Sequence, residues 1–206
     1  ILRRSDMKKL NIILTIILLT IPAIATHAAI DPQPDGIGVY FDTEASALCH
    51  APGGTVTCYL MLTNFTGPYL IAWTCAVDIE TSLPASSMQD WFVRSGIDVD
   101  DPEDPTTWVK GFIVGMEYFT PPAGSNVVLA ERQITTLSIS DEVSFRVFPN
   151  QDNTPACTMC YVAMLGTDLP FHVVNGNTDV PQTFITSGDC VVANEAITWS
   201  QLKALY

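Results

Sequence analysis

Positive charge is what this chain has least of. Its 206 residues hold 9 Lys and Arg against 22 Asp and Glu, a formal net charge of −13. So acidic a surface repels phosphate backbones and anionic headgroups, which excludes nucleic acid and an anionic membrane surface as partners. A protein or a glycan remains. Histidine is scarce as well: His27, His50 and His172 make up the whole set. None of them stands in the H-E-x-x-H spacing of a zinc protease, and no G-x-S-x-G elbow is present to supply a nucleophile. Amphipathic helices of ordinary length are missing between the apolar segments, and no self-similarity at about 20–50 residues points to a propeller or solenoid.

The one long apolar stretch is at the start. Lys8 and Lys9 precede a run from Leu10 to Ala25, and the small residues Ala23, Ala25, Ala28 and Ala29 follow as cleavage points. The run is shorter than the ~20 residues that span a bilayer and contains Pro22, so it reads as a secretory signal peptide rather than a membrane span. Residues 1–6, before Met7, read as an over-extended start. The expected division is 1–28 signal peptide, 29–195 one domain and 196–206 a short C-terminal tail or linker. The exported body keeps five Lys and Arg and 21 Asp and Glu, a formal charge of −16.

Export gives the cysteines their meaning. All six (Cys49, Cys58, Cys75, Cys157, Cys160 and Cys190) follow the cut, and an even number in an oxidising compartment implies disulfides. Within Thr55–Thr63 the residues Val56, Cys58, Leu60 and Leu62 share one face. Within Leu70–Glu80 the residues Ile71, Trp73, Cys75, Val77 and Ile79 share another. Both segments are half-buried strands. Folding them as a hairpin about Thr66-Gly67 superposes the two apolar faces and sets Cys58 opposite Cys75, so a Cys58–Cys75 bridge is expected. The pairing of Cys49, Cys157, Cys160 and Cys190 stays open. Cys157-Thr158-Met159-Cys160 has redox or zinc spacing but runs into a strand-like segment instead of a helix, which favours a structural role.

Further strands are expected at Ile37–Thr43, Trp91–Arg94, Thr107–Glu117, Asn126–Ile139, Val143–Phe148, Met159–Leu165 and Gln182–Thr186, separated by Pro, Gly, Asn and Asp clusters. Strands without crossover helices imply an all-β, antiparallel, immunoglobulin-like β-sandwich of about nine strands. A jelly roll is the alternative. The run Asp98-Val99-Asp100-Asp101-Pro102-Glu103-Asp104 carries five carboxylates in seven residues. Calcium is held by such hard oxygens, with Asp98, Asp100, Asp101 and Asp104 as its candidate ligands, although the glycine and distal glutamate of an EF-hand are absent. Trp91 and Trp108 flank the run and are the candidate sugar-stacking platforms.

The segments Gly36-Ile37-Gly38-Val39-Tyr40-Phe41-Asp42 and Trp199-Ser200-Gln201-Leu202-Lys203-Ala204-Leu205-Tyr206 together resemble the two ends of uncharacterised secreted bacterial proteins known from environmental genomes. In those a G-x-Y-x-D-like opening begins a β-sandwich, and a W-x-x-V/L-K-x-L-Y element closes it. The resemblance implies a sandwich body and transfers no catalytic residue; the arginine that ends the closing element is absent here. The Val56–Glu80 segment is similar to the opening of cohesin-like modules. The expected function is a secreted or cell-envelope, non-catalytic binding or structural module needing no cofactor. A calcium-dependent carbohydrate-binding module comes second and an extracellular hydrolase third. N-terminal sequencing of the protein collected from outside the cytoplasm is expected to begin at Ala29; a chain that still carries residues 10–25 would show the segment to be retained.

Overall fold

A computed structural model describes residues 31–100, 103, 107–151, 157–164 and 167–188. The signal segment, Asp101, Asp104, Cys190 and the 196–206 tail lie outside the described residues. Each of the nine expected segments contains a strand: β1 (Gly36–Tyr40), β3 (Gly54–Thr63), β4 (Leu70–Thr81), β5 (Phe92–Val93), β7 (Val109–Phe119), β8 (Val127–Thr136), β9 (Val143–Phe148), β10 (Cys160–Met164) and β13 (Thr183–Ile185). Four short strands add to them, namely β2 (Cys49–His50), β6 (Ile97–Asp98), β11 (Thr167–Pro170) and β12 (His172–Val173). Helix among the described residues is confined to two three-residue 3₁₀ turns.

Two sheets form. The smaller runs β12-β1-β3-β8-β5. The larger is organised about β4, which pairs with β7 along Leu70–Asp78 and, on its other edge, with β10 at Ala72–Thr74 and β9 at Ala76–Thr81. From there β13 and β2 extend it past β9, β11 past β10, and β6 past β7. Pairing is antiparallel except for β1 with β12 and β13 with β2, which are parallel. The alternation read from sequence decides which sides face inward. Cys58, Leu60 and Leu62 of β3 meet Trp73, Cys75, Val77 and Ile79 of β4 in one core, joined by Phe112, Val114, Ile134, Phe145 and Val147. Tyr40, Met61, Leu48 and Val174 form a small second cluster behind the smaller sheet.

One expectation fails. Cys58 and Cys75 are both free and fully buried, and β3 and β4 belong to different sheets. The physical reason is that two apolar faces can coincide in two ways, side by side in a hairpin or face to face across a core. The alternation pattern is the same for both. The connection chooses the second: Asn64 takes φ of 52°, Phe65 is buried against the Tyr161 ring at 5.4 Å, its amide donates to the Ser125 carbonyl at 3.1 Å, and the Thr66 amide donates to Asp35 Oδ1 at 2.9 Å. The chain thus arches over the end of the sandwich. Strand β3 pairs instead with β1 and β8, Cys58 standing opposite Arg132, and β4 sets Cys75 opposite Phe112.

Burial pushes the Cys58 thiol up to about 12 and drives that of Cys75 up as well, because a thiolate has no place in an apolar core. Each thiol ionises near 9 once unfolded, so their contribution to stability is intact below that pH and is lost as pH climbs from about 9 toward 12. Two thiols, mapped to Cys58 and Cys75, are expected to resist a maleimide in the native protein at pH 7 and to react in denaturant without reductant. A peptide map with a 58–75 crosslink would contradict this.

Candidate functional site

The outer face of the larger sheet is built by parity. Since Trp73 and Cys75 point into the core, Ala72 and Thr74 point away from it, and side chains directly opposite one another in register share a face. Ala72 stands opposite Gly115 of β7 and Val162 of β10; Thr74 stands opposite Ile113 and Cys160; Gly115 in turn faces Ile97 of β6. The result is an apolar groove of about 470 Å³ whose lining includes two polar side chains, Thr74 and Asp168. Ile97 and Val99 form one wall and are 72% and 69% exposed, well beyond what a solvated strand needs to leave bare. The Cys157–Cys160 disulfide closes the opposite wall.

Two glycines create the groove. Gly115 is its floor, and a Cβ there would meet nothing within 4 Å. Gly96 has φ of +98°, and a Cβ on it would collide with the Gly115 carbonyl oxygen. Only glycine lets β6 turn and close onto β7 at that point. The Val99 amide then donates to the Ile113 carbonyl at 2.9 Å, which carries the wall one residue past the strand.

The acidic run begins on the inner side of this edge. Asp98 lies 2.8 Å through Oδ2 from Lys110 Nζ, and its Oδ1 accepts the Ile113 amide at 3.1 Å. An ammonium ion thus stands beside the carboxylate first named for calcium. Asp100 Oδ2 accepts Asn150 Nδ2 at 2.5 Å. These two candidate ligands are directed to separate partners, and among the described residues no three His, Cys, Asp or Glu side chains converge.

Trp91 and Trp108, seventeen residues apart, do come together, with Arg132 between them. Its guanidinium carbon lies 5.8 and 5.7 Å from the two ring centroids, and its Nη1 lies 2.5 Å from Glu103 Oε1. Cation–π contacts of this type contribute about 0.5–2 kcal/mol each. Trp91 also meets the Phe112 ring edge-on at 5.8 Å, and Trp108 adopts φ of 55°, uncommon for an aromatic residue. Its carbonyl accepts the Ile79 amide at 3.3 Å. The platforms named for sugar stacking therefore each lend a face to a buried cation. Arg132 was not singled out from sequence, although a signal existed: it falls on the same parity as Ala130 and Ile134, and a charge at an inward position needs a partner.

The two described histidines, His50 and His172, are placed apart. His172 Nε2 lies 2.6 Å from Asp31 Oδ2, while His50 Nδ1 is 2.6 Å from the Ala51 carbonyl and its ring lies against Phe41. Of the cysteines whose pairing was open, Cys157 and Cys160 join each other and Cys49 is disulfide-bonded.

No protein-family model and no curated protein matches the chain. Among solved structures, a type II cohesin domain from the cellulosome of Acetivibrio cellulolyticus is similar over 78% of this chain and 99% of its own, with 11% identity and a TM-score of 0.43. A CaDoc0917–CaCohA2 complex at pH 5.5 is similar over 61% of this chain and 89% of the solved one, with 17% identity and a TM-score of 0.34. The fold described above stands on this chain's own strand registers. No described helix is long and apolar enough to cross a membrane.

The Arg132 cluster predicts a large response to one substitution. Arg132 is 2% exposed, so Arg132→Met strands the Glu103 carboxylate and lowers the unfolding free energy by roughly 3 kcal/mol or more. Urea denaturation measures it, and a loss under about 1 kcal/mol would mean a solvated, weak pair.

Proposed function

We propose that this chain is an exported, non-catalytic binding module that takes a protein partner on the outer face of its larger sheet. The observation that carries the reading is the apolar groove between Ile97 and the Cys157–Cys160 bridge. An antiparallel sheet commonly turns polar side chains to solvent on its outer face, whereas here Ile97, Val99, Ile113, Ala72 and Val162 are gathered on it. Burying such a face against a partner contributes about 25 cal/mol per Å² of apolar surface.

Chemistry favours a protein over a glycan as occupant. A sugar presents hydroxyl groups on every side, and two polar side chains, Thr74 and Asp168, cannot satisfy them; each hydroxyl left without a partner costs about 1–3 kcal/mol. Leucine-, valine- or phenylalanine-type side chains lose nothing there. The acidity of the body adds a preference for a partner whose rim carries Lys or Arg, which raises the association rate at low salt. Export is supported by residues 7–29 and by the bonded state of Cys49, Cys157 and Cys160, since bridges of this sort persist in oxidising compartments.

Gly115→Tyr tests the reading cleanly. The new side chain has open space outside the sheet, so it fills the groove without disturbing the core, and its strand propensity leaves stability unchanged or up to about 1 kcal/mol higher. Binding of the partner recovered from the producing organism's extracellular fraction is expected to fall at least tenfold while the melting temperature holds. Unaltered binding by this variant would move the interface elsewhere.

A further inference from the structure

A second cavity opens at one end of the sandwich, between the sheets. It has a volume of about 360 Å³, and Trp73, Met116, Phe119, Pro122, Val127 and Leu129 make most of its wall. That is roughly twice the ~150 Å³ apolar cavity that accepts a benzene ring, and it falls within the size range of small-molecule sites. Its wall is aromatic and aliphatic, with the Trp73 indole itself fixed against Phe112 at 5.2 Å. Arg94 also lines it.

The place of Arg94 is unusual in a chain so short of cations. Among the described residues Lys110, Arg132 and Arg146 have side chains 10%, 1% and 31% exposed in their ion pairs, whereas that of Arg94 is 49% exposed. The cation most open to solvent therefore belongs to the wall of an apolar cavity. Its backbone is fixed by the bond from its amide to the Leu129 carbonyl at 3.0 Å. Glu131 Oε2 takes Nη2 at 2.5 Å, and a guanidinium has five N–H donors to share. Two further buried polar atoms of lining residues, Trp73 Nε1 and Ser125 Oγ, have no hydrogen-bond partner.

We infer that this cavity binds an aromatic monocarboxylate, with the ring among Trp73, Phe119 and Leu129 and the carboxylate on Arg94. A single guanidinium on an acidic body selects a singly charged, planar anion, which it can hold with two parallel hydrogen bonds. With Glu131 already on Arg94, the ligand carboxylate is the second negative charge at this guanidinium and is held through its remaining N–H groups, whereas a phosphate or dicarboxylate would add a third with no further cation to meet it. The volume admits one ring and a short chain. This site is separate from the groove on the larger sheet and does not rest on the protein-binding reading.

The test is calorimetric titration of the exported chain at low salt and pH 7 with 3-phenylpropionate and with its uncharged counterpart 3-phenylpropanamide. The acid is expected to bind about tenfold tighter than the amide. Arg94→Gln is expected to bring the acid down to the affinity of the amide and to leave the amide unchanged. Val127→Trp, which fills the cavity from β8, abolishes both signals; Gly115→Tyr alters neither, so failure here is distinguishable from failure of the protein-binding face. Equal affinity for acid and amide, an unchanged acid affinity in Arg94→Gln, or no heat with the acid at millimolar concentration would each overturn the assignment. Because Arg94 is half exposed, its substitution leaves folding intact and the result interpretable even where Val127→Trp does not fold.

Discussion

Strand β4 carries hydrogen-bond ladders on both edges for nearly its whole length, with β7 on one side and β10 and β9 end to end on the other. The three branches of the larger sheet, β7 with β6, β10 with β11, and β9 with β13 and β2, are joined through it. Its two parities then divide the labour: Trp73, Cys75, Val77 and Ile79 are apolar and close the core, while Ala72, Thr74 and Ala76 are small and leave the outer surface low. Core and groove are thus two sides of one strand. A bulky outward residue at position 72 would cancel the groove, and a small inward residue at 73 would open the core beneath it.

How far the sequence could be read follows from what alternation encodes. A period of two records which side of a strand is buried, and it does so for β3, β9 and β4 from Trp73 onward. At the start of β4 the register shifts between Leu70 and Ala72, so Leu70 enters the core in place of the expected Ile71, which is only half-buried. It does not record the partner. Cys58 and Cys75 point into the same core from opposite sheets, and the residues that decide this, Asn64 and Phe65, act through a left-handed turn and a buried ring that no hydrophobic pattern announces. The short strands were illegible for a related reason. Two residues of β6 or β12 carry no period, and they pair only because a longer neighbour presents an edge.

The candidate sites divide along the same line. Composition exposed the acidic run and its flanking tryptophans, but charge runs do not name their counter-ions. Lys110 and Arg132, from two other strands, supply them. The groove was hidden further still, since its floor is a glycine and its wall is a pair of aliphatic residues inside the acidic segment, where Ile97 and Val99 alternate with Asp98 and Asp100. Alternation within a charge run was the readable sign that the segment edges a sheet with one apolar side.

The two reduced thiols at the centre of the sandwich set an order of events. Cysteines oxidise by thiolate attack, over seconds to hours, and only while they can be reached. A β-sandwich rich in non-local pairings closes in milliseconds to seconds. In a compartment where disulfides form, Cys58 and Cys75 would stay unbridged only if collapse sealed them first; once folded, burial denies them both access and ionisation. The margin is kinetic. A substitution that slows closure of the core would then reveal itself through scrambled bridges to Cys49, Cys157 or Cys160 before any loss of equilibrium stability became measurable.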